Sequence, residues 1–161
     1  MSISVGDRLP NLKLHMMSDG KPTAVDSDEI FKGKRVVLFA VPGAFTPTCS
    51  AAHLPGFVVH ADDLRGKGVD QIVCLSVNDA FVMDAWGQTQ NVEDRLLMLA
   101  DGNGDFTRSL GLETDSSAFG MGTRSQRYSM LVEDGIVKSL NIDPPRTFQA
   151  SSAESMLKQL G

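Results

Sequence analysis

Residues 35–49 carry the stretch RVVLFAVPGAFTPTC, which joins a continuous apolar segment to a proline-rich loop and a cysteine. The apolar segment 35–41 is short and rich in branched side chains, which is typical of a strand buried on both faces. It stops at Pro42, because proline cannot donate a hydrogen bond to a sheet. The stretch therefore predicts a buried strand that leads through a loop to Cys49, at the beginning of a helix.

The segments after this loop alternate between helix and strand patterns. Apolar residues recur at helical spacing at Leu54, Phe57, Val58, Ala61 and Leu64, and Pro55 is expected to distort this helix near its start. We predict further strands at 71–77 and 96–100, with a helix capped by Asp79 between them. A hairpin is predicted at 127–141 around Glu133-Asp134-Gly135, and Ser151-Ser152-Ala153-Glu154 fits a capping box that opens a last helix.

This order of elements predicts an α/β protein with a central mixed β-sheet and helices on both faces. A thioredoxin-like fold has this order, although the pattern alone does not separate it from other α/β sandwiches. The sequence shows no internal repeat and no low-complexity segment. With 161 residues, it is expected to form a single domain over residues 1–161.

Composition excludes several classes of function. The net charge of −5 and the pI of about 5.1 disfavour nucleic acid as a partner. No apolar run approaches the ~18 residues of a membrane span, and residues 1–14 lack the apolar core of a secretory signal. Two cysteines are too few for a disulfide framework, and no ligand cluster predicts a metal site. We expect a soluble, cytoplasmic protein.

The position of Cys49 indicates a reactive thiol. Free amides and the positive end of the helix dipole favour a thiolate over a thiol, and the thiolate is the form that attacks a peroxide. Thr46 offers a hydroxyl to the peroxide, the amides around Thr48 and Cys49 offer further donors, and Pro42 and Pro47 offer apolar walls. On position alone, a buried packing cysteine remains an alternative.

The sequence around Cys49 resembles the peroxiredoxin family, specifically its atypical type II, or peroxiredoxin-five, subfamily. The Pro-x-x-x-Thr-x-x-Cys motif of the family is present as Pro42, Thr46 and Cys49. The similarity covers nearly the whole chain in order. Further matching stretches are 53–57 (HLPGF), 74–81 (CLSVNDAF), 127–130 (RYSM) and 134–137 (DGIV).

The resemblance implies a thioredoxin-like fold and a thiol peroxidase acting on hydrogen peroxide and small organic hydroperoxides. Cys49 would be the peroxidatic cysteine, which becomes a sulfenic acid, while Thr46 would hydrogen-bond the peroxide and Pro42 would shield the sulfenate. Arg127 matches the arginine that stabilises the thiolate and the developing charge. Spacing alone would not distinguish Arg127 from the other basic residues. No cofactor is expected.

The second cysteine and the C-terminal region bear on how the sulfenate is reduced. Cys74 lies in a buried-strand pattern, which indicates packing, although a resolving role has to be considered. Relatives place a resolving cysteine before the last helix, but residues 148–152 contain none here. The ending Ser151-Ser152-Ala153-Glu154 resembles the branch that uses glutathione and glutaredoxin, so both are expected partners. Segment 144–146 (PPR) is unusual where relatives tend to carry glycine.

Other residues allow further interpretations. His53, one turn after Cys49, is expected to support the pocket rather than form a protease-like Cys–His pair. Met83, Trp86 and Phe81 form a stripe of the kind that usually belongs to a core, yet Phe45 and Phe81 are also candidates for a homodimer contact. The loop 118–123, which contains Met121, is a candidate wall of the pocket.

Two competing functions remain open. A peroxide sensor or redox relay would use the same cysteine to pass oxidation to a partner protein. A general dithiol oxidoreductase is disfavoured, because the Cys-x-x-Cys pair that this chemistry uses is absent.

Overall fold

The computed structural model describes residues 2–161, and its central feature is a seven-stranded mixed sheet with helices on both faces. The strands and helices, in chain order, are β1 (Lys13–Ser18), β2 (Lys21–Asp26), α1 (Ser27–Phe31), β3 (Arg35–Ala40), a π-helical turn (Cys49–His53), α2 (Leu54–Val59), α3 (Ala61–Gly66), β4 (Gln71–Ser76), α4 (Ala80–Thr89), β5 (Leu97–Ala100), α5 (Asp105–Leu110), β6 (Glu113–Asp115), a 3-10 turn (Ser117–Phe119), β7 (Thr123–Ser125), β8 (Arg127–Glu133), β9 (Ile136–Asp143) and α6 (Ala153–Leu160).

The sheet has the strand order β2-β1-β5-β4-β3-β8-β9, so the predicted strand β3 lies near its centre. β3 pairs in parallel with β4 and antiparallel with β8, while β4 and β5 are parallel. The predicted α/β fold of the thioredoxin-like type, with a mixed sheet between helices, is therefore confirmed. A separate two-stranded ribbon, β6–β7, lies outside this sheet.

The continuous apolar character of β3 reflects burial on both faces of the sheet. Val37 and Phe39 point into one core, which also contains Cys49 and Cys74. Their neighbours along the strand, such as Leu38, point into the second core. Because successive strand side chains alternate between faces, a strand with a core on each side needs apolar residues at every position.

The hairpin predicted at 127–141 is present as β8 and β9. Its turn places Asp134 and Gly135 at φ values of 50° and 78°, which is the left-handed pair that a type I′ turn requires. The register pairs Glu133 with Ile136. Because glycine adopts positive φ without steric cost, the Asp-Gly sequence closes this turn readily.

The helix predicted after Cys49 is interrupted, which corrects the expectation of one continuous helix through Leu64. The chain first makes the π-helical turn, in which the amide of Leu54 donates to the carbonyl of Cys49, five residues back. Pro55 follows directly and has no N–H to continue the ladder, and α2 ends at Val59 before α3 begins. The predicted apolar face is nevertheless correct, since Leu54 and Phe57 are buried.

The capping box predicted at Ser151 is wrong by one residue. Ser152 caps α6, and its hydroxyl accepts from the amide of Ser155 at 3.1 Å. Ser151 is buried and hydrogen-bonds Asp143 instead. Two adjacent serines satisfy the same local rule, and the long-range contact with Asp143 decides which of them is the cap. The cap predicted at Asp79 is confirmed, because its side chain accepts from Val82 N at 2.9 Å.

Several elements have no counterpart in the sequence prediction. Strand β2 is largely exposed and lacks an alternating apolar pattern, so nothing local marked the β1–β2 hairpin. Helix α5 spans six residues, too few to show a helical period. None of the helices within residues 2–161 combines the length and hydrophobicity that crossing a lipid bilayer requires.

Candidate active site

Cys49 lies in the first turn after the loop that leaves β3, and its side chain is fully buried. Asn78 holds this loop in place, because its Oδ1 accepts hydrogen bonds from Ala44 N at 3.0 Å and from Ser76 Oγ at 2.6 Å. Beyond the cysteine, Ser50 Oγ accepts from Trp86 Nε1 at 3.0 Å. Contacts on both sides of the sulfur therefore fix its position.

Arg127 reaches Cys49 from the first residue of β8. Its Nη2 donates to Cys49 Sγ at 3.1 Å, and its Nη1 donates to His53 Nδ1 at 2.8 Å. Because β8 pairs antiparallel with β3, with Tyr128 opposite Ala40, Arg127 lies where β3 ends and the loop toward Cys49 begins. The fold therefore places a cation within hydrogen-bond distance of the sulfur.

His53 holds Arg127 in place as a neutral ring. Its Nε2 lies 3.0 Å from the carbonyl oxygen of Ser151, which can only accept, so Nε2 carries the proton and Nδ1 accepts from Arg127. The ring is buried among Phe39, Phe57 and Phe148. This burial, together with the Arg127 guanidinium, lowers the pKa of His53 from 6.5 to about 3. His53 therefore stays neutral at physiological pH and accepts a hydrogen bond from Arg127, while its supporting role in the pocket stays a prediction.

The buried neutral state of His53 predicts a pH-dependent stability. Between pH 6.5 and about 3 the unfolded chain binds a proton at this residue that the folded chain does not bind. The free energy of unfolding should therefore fall by about 1.4 kcal/mol for each pH unit below 6.5. Urea denaturation at pH 7 and pH 5 measures this loss. The His53→Gln variant should show a flatter profile, whereas His15→Gln, on β1, should keep the wild-type slope. Equal slopes in all three proteins would contradict the assignment.

The segment between β9 and α6 is organised by Asp143. Its carboxylate accepts from the amides of Gln149, Ala150 and Ser151 at 3.1, 2.7 and 3.2 Å, and from the hydroxyl of Ser151. Burial would raise the pKa of Asp143, but these hydrogen bonds outweigh it and lower the pKa. The carboxylate thereby fixes the Ser151 carbonyl that holds His53. Phe148 directly precedes these residues, and its ring centroid lies 5.8 Å from the Arg127 guanidinium carbon.

Thr46 and Thr48 stand on the solvent side of the sulfur. Thr46 Oγ1 donates to the carbonyl of Gly43 at 2.7 Å, so its lone pairs are free to accept a hydrogen bond from a bound molecule. Thr48 lies in the first helical turn, where amides have no intrahelical acceptor. Pro42, Thr46 and Thr48 all line one cleft, together with Arg127.

The cleft has a volume of about 630 Å³ and three walls. The first is the loop before Cys49, the second is the ribbon β6–β7 with its connecting turn, and the third is the segment after β9. Met121 lies in the second wall, as predicted for the loop 118–123. Cys49 itself is fully buried and does not line the cleft, but Arg127, which does, contacts its sulfur.

Two other predicted residues lie away from the cleft. Cys74 is fully buried on β4, where burial and the nearby Cys49 raise the pKa of its thiol. Phe45 is 53% exposed and has a φ of 64°, and its ring lies 6.4 Å from that of Trp86. Phe81 is 61% exposed, so its expected place in a core stripe is wrong, whereas Met83 and Trp86 are buried as predicted.

Three residues of the network were not identified from the sequence. Asp143, Phe148 and Ser151 act through backbone and ring contacts that cross the end of the sheet. An aspartate directly before two prolines is a local turn signal, but it predicts a loop rather than a contact with the active site. Within residues 2–161 no three His, Cys, Asp or Glu side chains are grouped to hold a metal ion.

A thioredoxin-like sheet with a buried thiol, an arginine on its sulfur and an adjoining cleft defines a thiol-dependent oxidoreductase. The chain matches the Redoxin family model over residues 4–157 and belongs to this family, as a type II, peroxiredoxin-five-like peroxiredoxin with thiol peroxidase activity.

Curated and solved relatives support this assignment over the whole chain. The chain is 52% identical to "Peroxiredoxin-2E, chloroplastic" of Arabidopsis thaliana, over 99% of this chain and 70% of that protein. It superimposes with a TM-score of 0.95 on reduced Prx3 of Vibrio vulnificus in complex with hydrogen peroxide, at 53% identity and 99% coverage of both chains. Peroxiredoxin 5 of Alvinella pompejana superimposes with a TM-score of 0.87 at 35% identity, over 98% of this chain and 97% of that one.

Proposed function

We propose that Cys49 is the peroxidatic cysteine and that hydrogen peroxide and small organic hydroperoxides are its substrates. The observation that carries this proposal is the 3.1 Å contact between Arg127 Nη2 and Cys49 Sγ. The thiolate attacks the terminal peroxide oxygen, the O–O bond breaks, and the leaving oxygen takes a proton and departs as water or an alcohol. Sulfur loses two electrons and Cys49 becomes a sulfenic acid.

The residues around the sulfur have separate roles in this step. Arg127 stabilises the thiolate and the charge that develops on the peroxide. Thr46 accepts a hydrogen bond from the peroxide, since its own proton is used on Gly43. The Thr48 and Cys49 amides donate to the substrate, and Pro42 limits water at the sulfenate.

We propose that the sulfenate is reduced from outside the chain, by glutathione, and that glutaredoxin removes the resulting mixed disulfide. Cys74 is fully buried on a central strand, and positions 151 and 152, before the last helix, are serines. A disulfide between Cys49 and Cys74 would also require the two Cα atoms to lie within about 7 Å, with thiols facing each other. The chain therefore offers no accessible second thiol, and glutathione is small enough to enter the cleft.

Steady-state peroxide consumption with alternative reductants tests this proposal. We expect sustained turnover of hydrogen peroxide with glutathione plus glutaredoxin, and at least about tenfold slower turnover with thioredoxin plus thioredoxin reductase. The reason is that thioredoxin reduces accessible disulfides, and this chain presents none. Mass spectrometry of the oxidised protein should detect glutathione on Cys49. Recycling by thioredoxin alone would contradict the proposal.

A redox relay is the second candidate function, because the same sulfenate can oxidise a thiol of a partner protein. The same assay separates the two. Turnover with a small reductant supports the peroxidase as the whole function. A single stoichiometric oxidation, followed by a disulfide between Cys49 and a partner, supports the relay.

We further propose that the protein acts as a homodimer in a reducing compartment such as the cytoplasm. Phe45 and Phe81 expose apolar rings at the end of the sheet that carries Cys49, and both lie outside the cleft. An apolar surface of this kind favours contact with a second copy. The two free cysteines fit a reducing compartment. The acidic net charge remains unfavourable for nucleic acid or an anionic membrane surface.

A further inference from the structure

The cleft beside Cys49 is much larger than hydrogen peroxide requires. A water molecule occupies about 30 Å³, and hydrogen peroxide has one more oxygen atom. The cleft measures about 630 Å³, which lies in the range of pockets that bind small organic molecules. Its size therefore allows a substrate with a carbon chain attached to the peroxide.

Apolar side chains from all three walls line this space. Pro47 contributes from the first wall, Phe119 and Met121 from the second, and Pro144 and Pro145 from the third. Phe119 is 70% exposed, although burying its ring elsewhere would be favourable. These side chains provide contacts for a hydrocarbon chain, while Thr114, Ser116 and Gln126 line the same space with polar groups.

Arg146 lines the third wall and has an unusual backbone conformation. Its φ is 63°, a left-handed value that is sterically unfavourable for a residue with a side chain and unstrained for glycine. Retained strain of this kind next to an active site is a reason to look for a function of the side chain. Within residues 2–161 the Arg146 guanidinium forms no ion pair and donates no hydrogen bond.

The other charged side chains near the cleft already form hydrogen bonds within the protein. Arg127 donates to Cys49 and His53, and Arg124 donates to the carbonyls of Met121 and Val77. The Asp143 carboxylate faces the amides of its own loop. Asp115 accepts from the amide of Ser117 at 2.9 Å. Among the residues that the structure describes, Arg146 is therefore the cation at this cleft that remains available for a bound anion.

From these observations we propose, on the basis of the peroxidatic role proposed above for Cys49, that Arg146 binds the carboxylate of an organic hydroperoxide whose peroxide end reaches Cys49. The cleft then prefers hydroperoxides of carboxylic acids over neutral hydroperoxides of the same length. The carbon chain packs against the apolar walls, and Arg146 is a specificity-determining residue. The carboxylate does not react: the terminal peroxide oxygen passes to sulfur, and the substrate leaves as the hydroxy acid.

A matched pair of substrates tests the proposal. We expect the wild type to show a higher kcat/KM for an ω-hydroperoxyalkanoic acid than for its methyl ester, with both below their micelle concentrations. Arg146→Gln should lower kcat/KM for the acid by about three- to tenfold, as expected for loss of a solvent-exposed charged hydrogen bond. Activity with the ester and with hydrogen peroxide should not change. Added salt should reduce the preference of the wild type for the acid.

Three variants make the result decisive. Arg146→Lys should retain part of the preference, because the charge remains without the planar donor pair. Arg146→Gly should lose the preference while becoming more resistant to urea, since the left-handed conformation suits glycine. Asp115→Asn removes a charge of the opposite sign and should not reduce the preference. Equal loss for acid and ester in Arg146→Gln, or no loss for either, would overturn the proposal. Hydrogen peroxide turnover separately reports whether Cys49 still works.

Discussion

Replacing Cys49 with serine is expected to reduce peroxide consumption to the uncatalysed background, a loss of at least about a thousandfold. A serine hydroxyl at this position stays protonated at neutral pH and cannot be oxidised to a sulfenic acid. The fold should persist, because serine is close in size and Arg127 can still donate to its oxygen. Initial rates of hydrogen peroxide removal, with circular dichroism as a check on folding, measure the effect.

Cys74→Ala is the matched control for this variant. Cys74 is fully buried on β4, and the raised pKa of its thiol keeps it protonated and unreactive. We expect turnover within about threefold of the wild type and a loss of stability of about 1 kcal/mol from the smaller side chain. If a folded Cys74→Ala protein were as inactive as Cys49→Ser, Cys74 would be a resolving thiol and the one-cysteine mechanism would be wrong.

Arg127→Gln is expected to lower kcat/KM for hydrogen peroxide by about a hundred- to a thousandfold. The variant loses the cation that contacts Cys49 Sγ and also the donor to His53 Nδ1. The sulfur then has no charged hydrogen-bond donor, and the charge developing on the peroxide is less stabilised. Arg127→Lys should recover only part of the rate, because one ammonium group does not replace two donors held in a plane.

The reactivity of the sulfur is measured separately by the rate of Cys49 alkylation with iodoacetamide at pH 7, in a Cys74→Ala background. In Arg127→Gln this rate should fall, because the sulfur loses its charged hydrogen-bond donor. The Arg108→Gln variant is the control, since Arg108 is an exposed arginine on α5 that pairs with Asp105. An unchanged alkylation rate together with unchanged turnover in Arg127→Gln would show that the contact at 3.1 Å has no chemical role.

Much of the fold was predictable because its central elements are encoded locally. β3 and β4 are short, continuously apolar segments, and such segments form strands that are buried on both sides. The turn at Asp134-Gly135 requires two positive φ values, which few residue pairs tolerate. Local rules fail where two neighbouring residues are equally good helix caps, as Ser151 and Ser152 are. They also fail where a strand is exposed and lacks an alternating apolar pattern, as in β2.

The residues of the candidate site likewise fall into those that the local sequence predicts and those that it does not. The motif Pro42, Thr46 and Cys49 spans eight consecutive residues, and its sequence was sufficient to predict that Cys49 lies at the beginning of a helical segment. Arg127 was recognisable only through the resemblance to a family, since its position in the sequence carries no local signal. The sequence of segment 144–146 is unusual, but the left-handed backbone of Arg146 and its place in the cleft wall are visible only in three dimensions.

The sequence by itself determined the position of Cys49 at the beginning of a helical segment and the strands β3, β4, β5, β8 and β9, because each depends on interactions among neighbouring residues. The tertiary structure decided what surrounds the sulfur. Arg127 lies 78 residues from Cys49, and Ser151 lies 98 residues from His53. The pairing of β8 with β3 and the loop that Asp143 closes bring them together. Such contacts depend on the register of distant strands, which no local pattern specifies.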